Sequence, residues 1–188
     1  MAVRTFIAVP LSDEIRRALG RVAEEGREAG GDVKWVEPAL IHLTLRFLGD
    51  VAEDRLPAVQ DALRAAAGAA APFDLRVAGV GAFPDLRRPR VIWAGGEEKG
   101  GVLRGLAAAV EAACVRLGFG PSDHPFSPHL TLGRVKSLKG IDNLRPVLER
   151  HAGDDFGTER VASFHLMKSV LRPEGPEYSS LMELPLAC

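Results

Sequence analysis

The sequence predicts an α+β fold built from two similar lobes, on three observations. The tetrapeptide His-Leu-Thr-Leu occurs twice, at His42 to Leu45 and at His129 to Leu132, each time inside a run of strand-forming residues. Stretches of strand character interleave with stretches whose apolar residues recur at helical spacing. The flanks of the two copies also match: 37 positions separate Thr5 from His42 and 38 separate Val91 from His129, while 31 separate His42 from Phe73 and 32 separate His129 from Val161. Chance can repeat a tetrapeptide, but matched flanks argue for structurally equivalent units.

In chain order, Thr5 to Val9 reads as a buried strand ended by Pro10. Ser12 is placed to cap a helix, with Asp13 and Glu14 in its positive first turn and Ile15, Leu19 and Val22 on one face. Gly30-Gly31 closes that helix, and a short strand from Val33 to Val36 meets a loop at Glu37-Pro38. Ile41 to Leu48 carries the first motif. A helix follows from about Glu53 to Ala67, with Leu56, Val59 and Leu63 on one face; Pro57 requires that its position be in the first turn. Phe73 to Phe83 returns as a strand.

The pattern then restarts. Val91 to Ala94 reads as a strand, Val102 to Leu117 as an alanine-rich helix ended by Gly118, and Gly120 to Pro128 as a proline-rich loop leading into the second motif. A helix from about Asp142 to His151, a long strand from about Val161 to Leu171 and an extra strand from about Tyr178 to Leu184 complete the chain. Each half thus reads strand, helix, motif strand, helix, strand. No linker separates the halves, because Pro84 to Pro89 is only a short basic turn. The expectation is one bilobal domain over residues 1–188, with lobes of about 1–83 and 89–188, mainly antiparallel sheets, pseudo-two-fold symmetry, a central cleft and helices outside.

Composition sets bounds on function. A chain of 188 residues is long enough to bury about 70% of its unfolded surface. The net charge is −1, from 24 basic and 25 acidic residues, so any nucleic-acid contact must come from a local patch. Cys114 and Cys188 have no metal-type spacing, and no disulfide is expected. The apolar run within Met1 to Pro10 is too short for a signal sequence or a membrane span, so a soluble, cytoplasmic protein is expected.

Strand alternation gives the motif its chemistry. His42 and Thr44 face one way while Leu43 and Leu45 face the other, and the second copy does the same with His129 and Thr131. If pseudo-symmetry brings the motif strands together, two imidazoles flank one centre with two hydroxyls beside them. That set suits displacement at phosphorus without a metal. One neutral imidazole accepts a proton from the nucleophile, an imidazolium gives one to the departing oxygen, and the hydroxyls donate to the non-bridging oxygens.

The segments His42-Leu43-Thr44-Leu45-Arg46-Phe47-Leu48-Gly49 and Pro128-His129-Leu130-Thr131-Leu132-Gly133-Arg134 resemble the two-histidine (2H) phosphoesterases, and among them the LigT-like RNA 2′,3′-cyclic phosphodiesterases once called 2′-5′ RNA ligases. The similarity extends to Arg4-Thr5-Phe6-Ile7-Ala8, Phe83-Pro84, Pro89-Arg90-Val91-Ile92-Trp93 and the closing strand. The resemblance implies hydrolysis of a terminal 2′,3′-cyclic phosphate to a 2′-phosphomonoester, with RNA carrying that end, or a cyclic nucleotide, as partner. It makes His42 the proton donor to the leaving 3′ oxygen and His129 the base that activates water. It also implies that Thr44, Thr131 and Arg134 hold the phosphate. Cofactors and metals are not called for, and a monomer is expected.

Arg134 lies five residues after His129, so strict alternation sends it to the opposite face unless Gly133 hosts a bulge. Arg46 is in phase with His42 and Thr44 and is a second candidate for phosphate or RNA backbone. The other readings stand beside these. A small cyclic nucleotide, or 2′-5′ ligation by reversal, would use the same site, and an RNA-binding module without activity would keep the cleft alone. Zinc would need a third ligand near the histidines, and neither motif supplies one. His165 reads as structural, His151 as a helix-terminal cation and His124 as a solvated loop residue. Trp35, Phe83 and Phe126 could stack on bases, although core packing explains each; Arg87, Arg88 and Arg90 form a basic turn that could track RNA.

Overall fold

The computed structural model describes residues 1–173 and 175–187. In chain order the elements are β1 (Ala2–Val9), α1 (Asp13–Glu28), β2 (Val33–Trp35), β3 (Leu43–Ala52), α2 (Leu56–Gly68), β4 (Phe73–Phe83), β5 (Val91–Glu97), α3 (Val102–Arg116), β6 (His129–Val135), α4 (Ile141–Arg150), β7 (Asp155–Val161), β8 (Ser163–Arg172) and β9 (Gly175–Pro185). The helices bury the faces that their spacing marks: Ile15, Leu19, Val22 and Ala23 in α1, Val59 and Leu63 in α2, Leu103, Leu106 and Val110 in α3, Leu144 and Leu148 in α4. Gly30, at φ +84°, supplies the left-handed residue that ends α1. Pro57 falls in the first turn of α2, where its missing N–H costs nothing.

All paired strands run antiparallel, in the order β7-β4-β5-β6-β3-β1-β8-β9, with β2 paired to β6 beside this path. The sequence halves are not the spatial halves. β4, from the first half, pairs with β5 and β7, while β8, from the second half, pairs with β1. One strand of each half is therefore exchanged across the sheet: β4 directly after α2, and β8 after α4 and β7. This corrects the expected division at residues 83 and 89.

Two local expectations are also corrected. The strand expected from about Val161 to Leu171 is β8, and an unexpected further strand, β7, precedes it, with Ala162 between them. The sequence of β7, Asp-Phe-Gly-Thr-Glu-Arg-Val, is an edge strand whose polar residues face water, so it carries little apolar alternation to detect. Ser12 makes no side-chain cap; its backbone N–H instead donates to Glu159 Oε2 at 2.7 Å, tying α1 to β7.

The motif strands meet at the middle of the sheet through one register pair, Leu43 opposite Leu130. Beyond it they part: β3 continues beside β1, and β6 runs beside β2. One sheet face, carrying Ile7, Val9, Leu43, Leu75, Val77, Ile92, Leu130, Leu132 and Phe164, joins the helices in one continuous apolar cluster. The motif histidines and threonines occupy the other face, at partly exposed positions.

Candidate active site

Each motif histidine is set by the same local device. His42 Nδ1 lies 2.7 Å from the carbonyl oxygen of Leu40, and His129 Nδ1 lies 2.8 Å from that of Ser127. A carbonyl can only accept, so Nδ1 carries a hydrogen in both rings and Nε2 is the position free to take or give a proton. In both cases the acceptor is two residues back, just before the strand begins. The repeat thus extends from the side chains to the hydrogen bonds that orient them.

The register through Leu43 and Leu130 sets His42 beside Thr131 and Thr44 beside His129. The histidines lie on the diagonal of this four-residue square, with Cα atoms about 7–8 Å apart. A phosphoryl group above the centre therefore has an imidazole on each side and a hydroxyl next to each.

Matching bulges decide where the two arginines go. Across β1 and β3, Ala8 is opposite Thr44 but Ile7 is opposite Arg46, which leaves Leu45 as an extra residue. Across β5 and β6, Trp93 is opposite Thr131 but Ile92 is opposite Gly133, which leaves Leu132 as an extra residue. Both motifs are bulged at their second leucine, and alternation resets there. Arg134 consequently joins His129 and Thr131 on the cleft wall. Arg46 is turned away from His42 and Thr44: it is 8% exposed, bonds Glu111 at 2.8 Å and the Gly120 carbonyl at 2.8 Å, and also bonds Ser122. The bulge thereby puts Arg46 out of phase with His42 and Thr44; it still lines the cleft, on the side of the loop that leads to His129, where its bonds hold the start of that loop. In the sequence Gly133 marked the second bulge to within one residue, but nothing marked the bulge at Leu45.

The cleft has a volume of about 1000 Å³ and is walled by Thr44, Phe47, Phe83, His129, Thr131 and Arg134. It continues past the loop of residues 119–128 to Arg104 on α3. His42 is not among the residues that line this volume; it sits beside Thr131 in the strand register, among aromatic rings, stacked on Phe6 at 4.8 Å with the edge of Tyr178 at 5.5 Å. That burial, with a contribution from the Arg16 charge, holds the His42 imidazole below its ordinary range, although the Leu40 carbonyl acts the other way. Phe83 meets His129 edge-on at 5.1 Å.

The family model described as LigT like phosphoesterase matches residues 9–93 and 97–178, which spans both motifs and nearly the whole chain. The chain belongs to the LigT-like phosphoesterase family. Among LigT-like relatives named RNA 2′,3′-cyclic phosphodiesterase, the Archaeoglobus fulgidus protein is 37% identical over 95% of this chain and 98% of its own length. The Methanothermobacter thermautotrophicus protein is 34% identical over 96% and 97%. Among solved structures, Escherichia coli LigT complexed with 3′-AMP aligns over 100% of both chains with TM-score 0.82 and 27% identity. A Thermus thermophilus protein aligns over 97% of both with TM-score 0.79 and 35% identity.

The remaining residues singled out from the sequence sort as follows. Trp35 is buried, as core packing requires, but Phe83 and Phe126 both wall the cleft. His124 is exposed and also lines the cleft. His165 Nδ1 lies 2.9 Å from Ser180 Oγ, and Ala8 of β1 separates it from Thr44 across the sheet. Asp85 accepts from the backbone N–H groups of Arg87 and Arg88, which shapes the basic turn. Cys114 is buried and its thiol is pushed up to about 11, largely by that burial; Cys188 lies outside the described residues. Among the described residues no three His, Cys, Asp or Glu side chains gather as a metal site would require, and no helix is long and apolar enough to cross a membrane. Phe6, Phe47 and Tyr178 are the site residues that sequence reading missed; Phe47 sits inside the first motif, but strict alternation placed it on the wrong face.

Proposed function

We propose that this chain hydrolyses the 2′,3′-cyclic phosphate at an RNA end to a 2′-phosphomonoester. The observation that carries the reading is the pair of His-x-Thr strands laid antiparallel across one cleft, each imidazole held by its Nδ1–H with Nε2 left free. The names of the relatives and the complex of LigT with 3′-AMP support the substrate class. In this reading Nε2 of His129 accepts the proton of the attacking water as the new P–O bond forms. The P–O3′ bond breaks on the far side, and Nε2 of His42 delivers a proton to the departing 3′ oxygen. The Thr44 and Thr131 hydroxyls donate to the non-bridging oxygens, and Arg134 pairs with the phosphate charge. The same reading takes residues 1–188 as one bilobal unit closed around this cleft.

A cleft of about 1000 Å³ is at the upper end for small-molecule sites, which run to roughly 300–1,000 Å³. The deciding experiment is cleavage of an oligonucleotide ended by a 2′,3′-cyclic phosphate in excess chelator, with wild type, His42→Ala and His129→Ala, and with the product identified. A 2′-phosphate product and a rate loss of about 10²–10⁴ in each variant are expected. Joined RNA ends would favour the 2′-5′ ligation reading. Tight RNA binding without turnover would favour a binding module.

A further inference from the structure

Lys34 is the middle residue of β2, exposed between the half-buried Val33 and the buried Trp35. Its register partner on β6 is Arg134. Residues directly opposed in an antiparallel pair project from the same face, with Cβ atoms about 4.5–5.5 Å apart. That face belongs to the cleft. An added Cβ at Gly133, the residue before Arg134, would meet Val33 and Trp35 on the core side, so Lys34 and Arg134 stand together on the other side.

Like charges directly opposite one another destabilise a strand pair. Among the described residues neither cation has an ion pair to offset this. The acids nearest Lys34 in sequence are committed elsewhere: Asp32 accepts from the Ser137 hydroxyl at 2.6 Å, and Glu37 faces Arg27 at 3.8 Å. An anion bound beside the pair would turn the repulsion into attraction. With the bulged Leu132 discounted, Arg134 is two pleat positions beyond Thr131, about 7 Å along β6, and Lys34 is one strand further out, about 5 Å to the side. The cleft is walled by Arg134 and stops short of Lys34. On its other side Arg134 has the apolar Val91 of β5 as neighbour, so the second charge extends the site towards β2 alone.

We propose that Lys34 holds the phosphodiester that joins the terminal nucleotide to the rest of the RNA, resting on the reading of the site given above. Arg134 serves the cyclic phosphate, and Lys34 serves the next phosphate along the backbone, one ribose away. A nucleoside 2′,3′-cyclic phosphate has no such group, so this contact selects an RNA end over the free compound. It reads charge and not a base edge, so it is indifferent to sequence.

The test compares kcat/KM for two oligonucleotides ended by a 2′,3′-cyclic phosphate, both with deoxyribose at the penultimate position. In one the last internucleotide linkage is a phosphodiester, and in the other it is an uncharged methylphosphonate. Wild type should prefer the charged linkage by roughly threefold to tenfold. That preference should fall towards unity in Lys34→Gln and be kept in Lys34→Arg. A preference that survives Lys34→Gln overturns the proposal. So does a loss that is equal for both substrates, which would show Lys34 acting through the pairing of β2 with β6. In the RNA-free protein Lys34→Gln should hold Tm level or raise it, because it removes a repulsion, and a lower Tm would assign the residue to the fold instead. A further arm needs no turnover: for RNA ended by a 2′-phosphate, the slope of log Kd against log salt should shrink by about 0.7 in Lys34→Gln. An unchanged slope overturns the contact. Inactive wild type would sink the hydrolytic reading, and the salt slope would still decide the Lys34 site.

Discussion

At the two motif histidines the anchoring bond is shared while the surroundings differ. His42 is enclosed by Phe6 and Tyr178, whereas His129 stands on the cleft wall with Phe83 at its edge. Burial favours the neutral ring, so the free protein holds His42 below the ordinary value of 6.5. A proton donor must begin charged, and in the free protein that fraction declines as pH rises through the lowered value. A phosphate anion in the cleft acts in the opposite direction. If His42 is the donor, the alkaline limb of kcat/KM lies below 6.5 and the alkaline limb of kcat lies at higher pH. Parallel profiles of the two parameters check this, and coincident alkaline limbs would transfer the donor role away from His42.

At the scale of the strand, one extra leucine in each motif decides which neighbouring side chains belong to the cleft. In β6 the bulge is accommodated by Gly133, where an added Cβ would lie 2.7 Å from Val33 Cγ1 and 3.0 Å from Trp35 Cε3. Those atoms belong to β2, so a larger residue has to push the two strands apart. Gly133→Val should lower stability by about 1–3 kcal/mol and weaken substrate binding through Arg134, the next residue. Thermal unfolding and KM together check it, with Gly153→Ala, where an added Cβ meets nothing within 4 Å, as the control. Binary patterning made the motifs legible as strands, since Leu43 and Leu130 are wholly buried. It could not show the bulges, which arise from how β3 and β6 pair with β1 and β5.

Across the whole molecule, exchange of β4 and β8 commits each side of the sheet to segments far apart in sequence. His151, at the end of α4, makes a further long-range tie: Nδ1 lies 2.6 Å from Asp154 and Nε2 lies 3.0 Å from Glu25 of α1. Burial alone would lower the His151 value, but the bonds from Asp154 and Glu25 outweigh it and the net shift is upward. Glu25 is shifted down, first by its bond to His151. A raised histidine stabilises fully below 6.5 and loses that contribution as pH rises through its folded value. A lowered carboxylate stabilises above 4.5 and loses its contribution as pH falls through its folded value. The tie is therefore strongest between 4.5 and 6.5, and the Tm deficit of His151→Phe should be largest there and shrink at alkaline pH. Thermal melts across pH check it; a deficit independent of pH would mean that His151 acts by packing alone.

By itself the sequence determined the α+β class, the duplication, and His42, Thr44, His129 and Thr131 as the set to examine. Helical and strand periodicities are local, and a repeated motif carries its own anchoring bond with it. Tertiary structure alone decided that strands are exchanged between the halves, that Arg134 joins His129 and Thr131 on the cleft wall while Arg46 is tied to Glu111 and the loop before the second motif, and that Phe47 joins Thr44 on that wall. Those outcomes depend on register between strands distant in sequence, and a single extra residue in one strand of a pair reverses which face every later side chain takes.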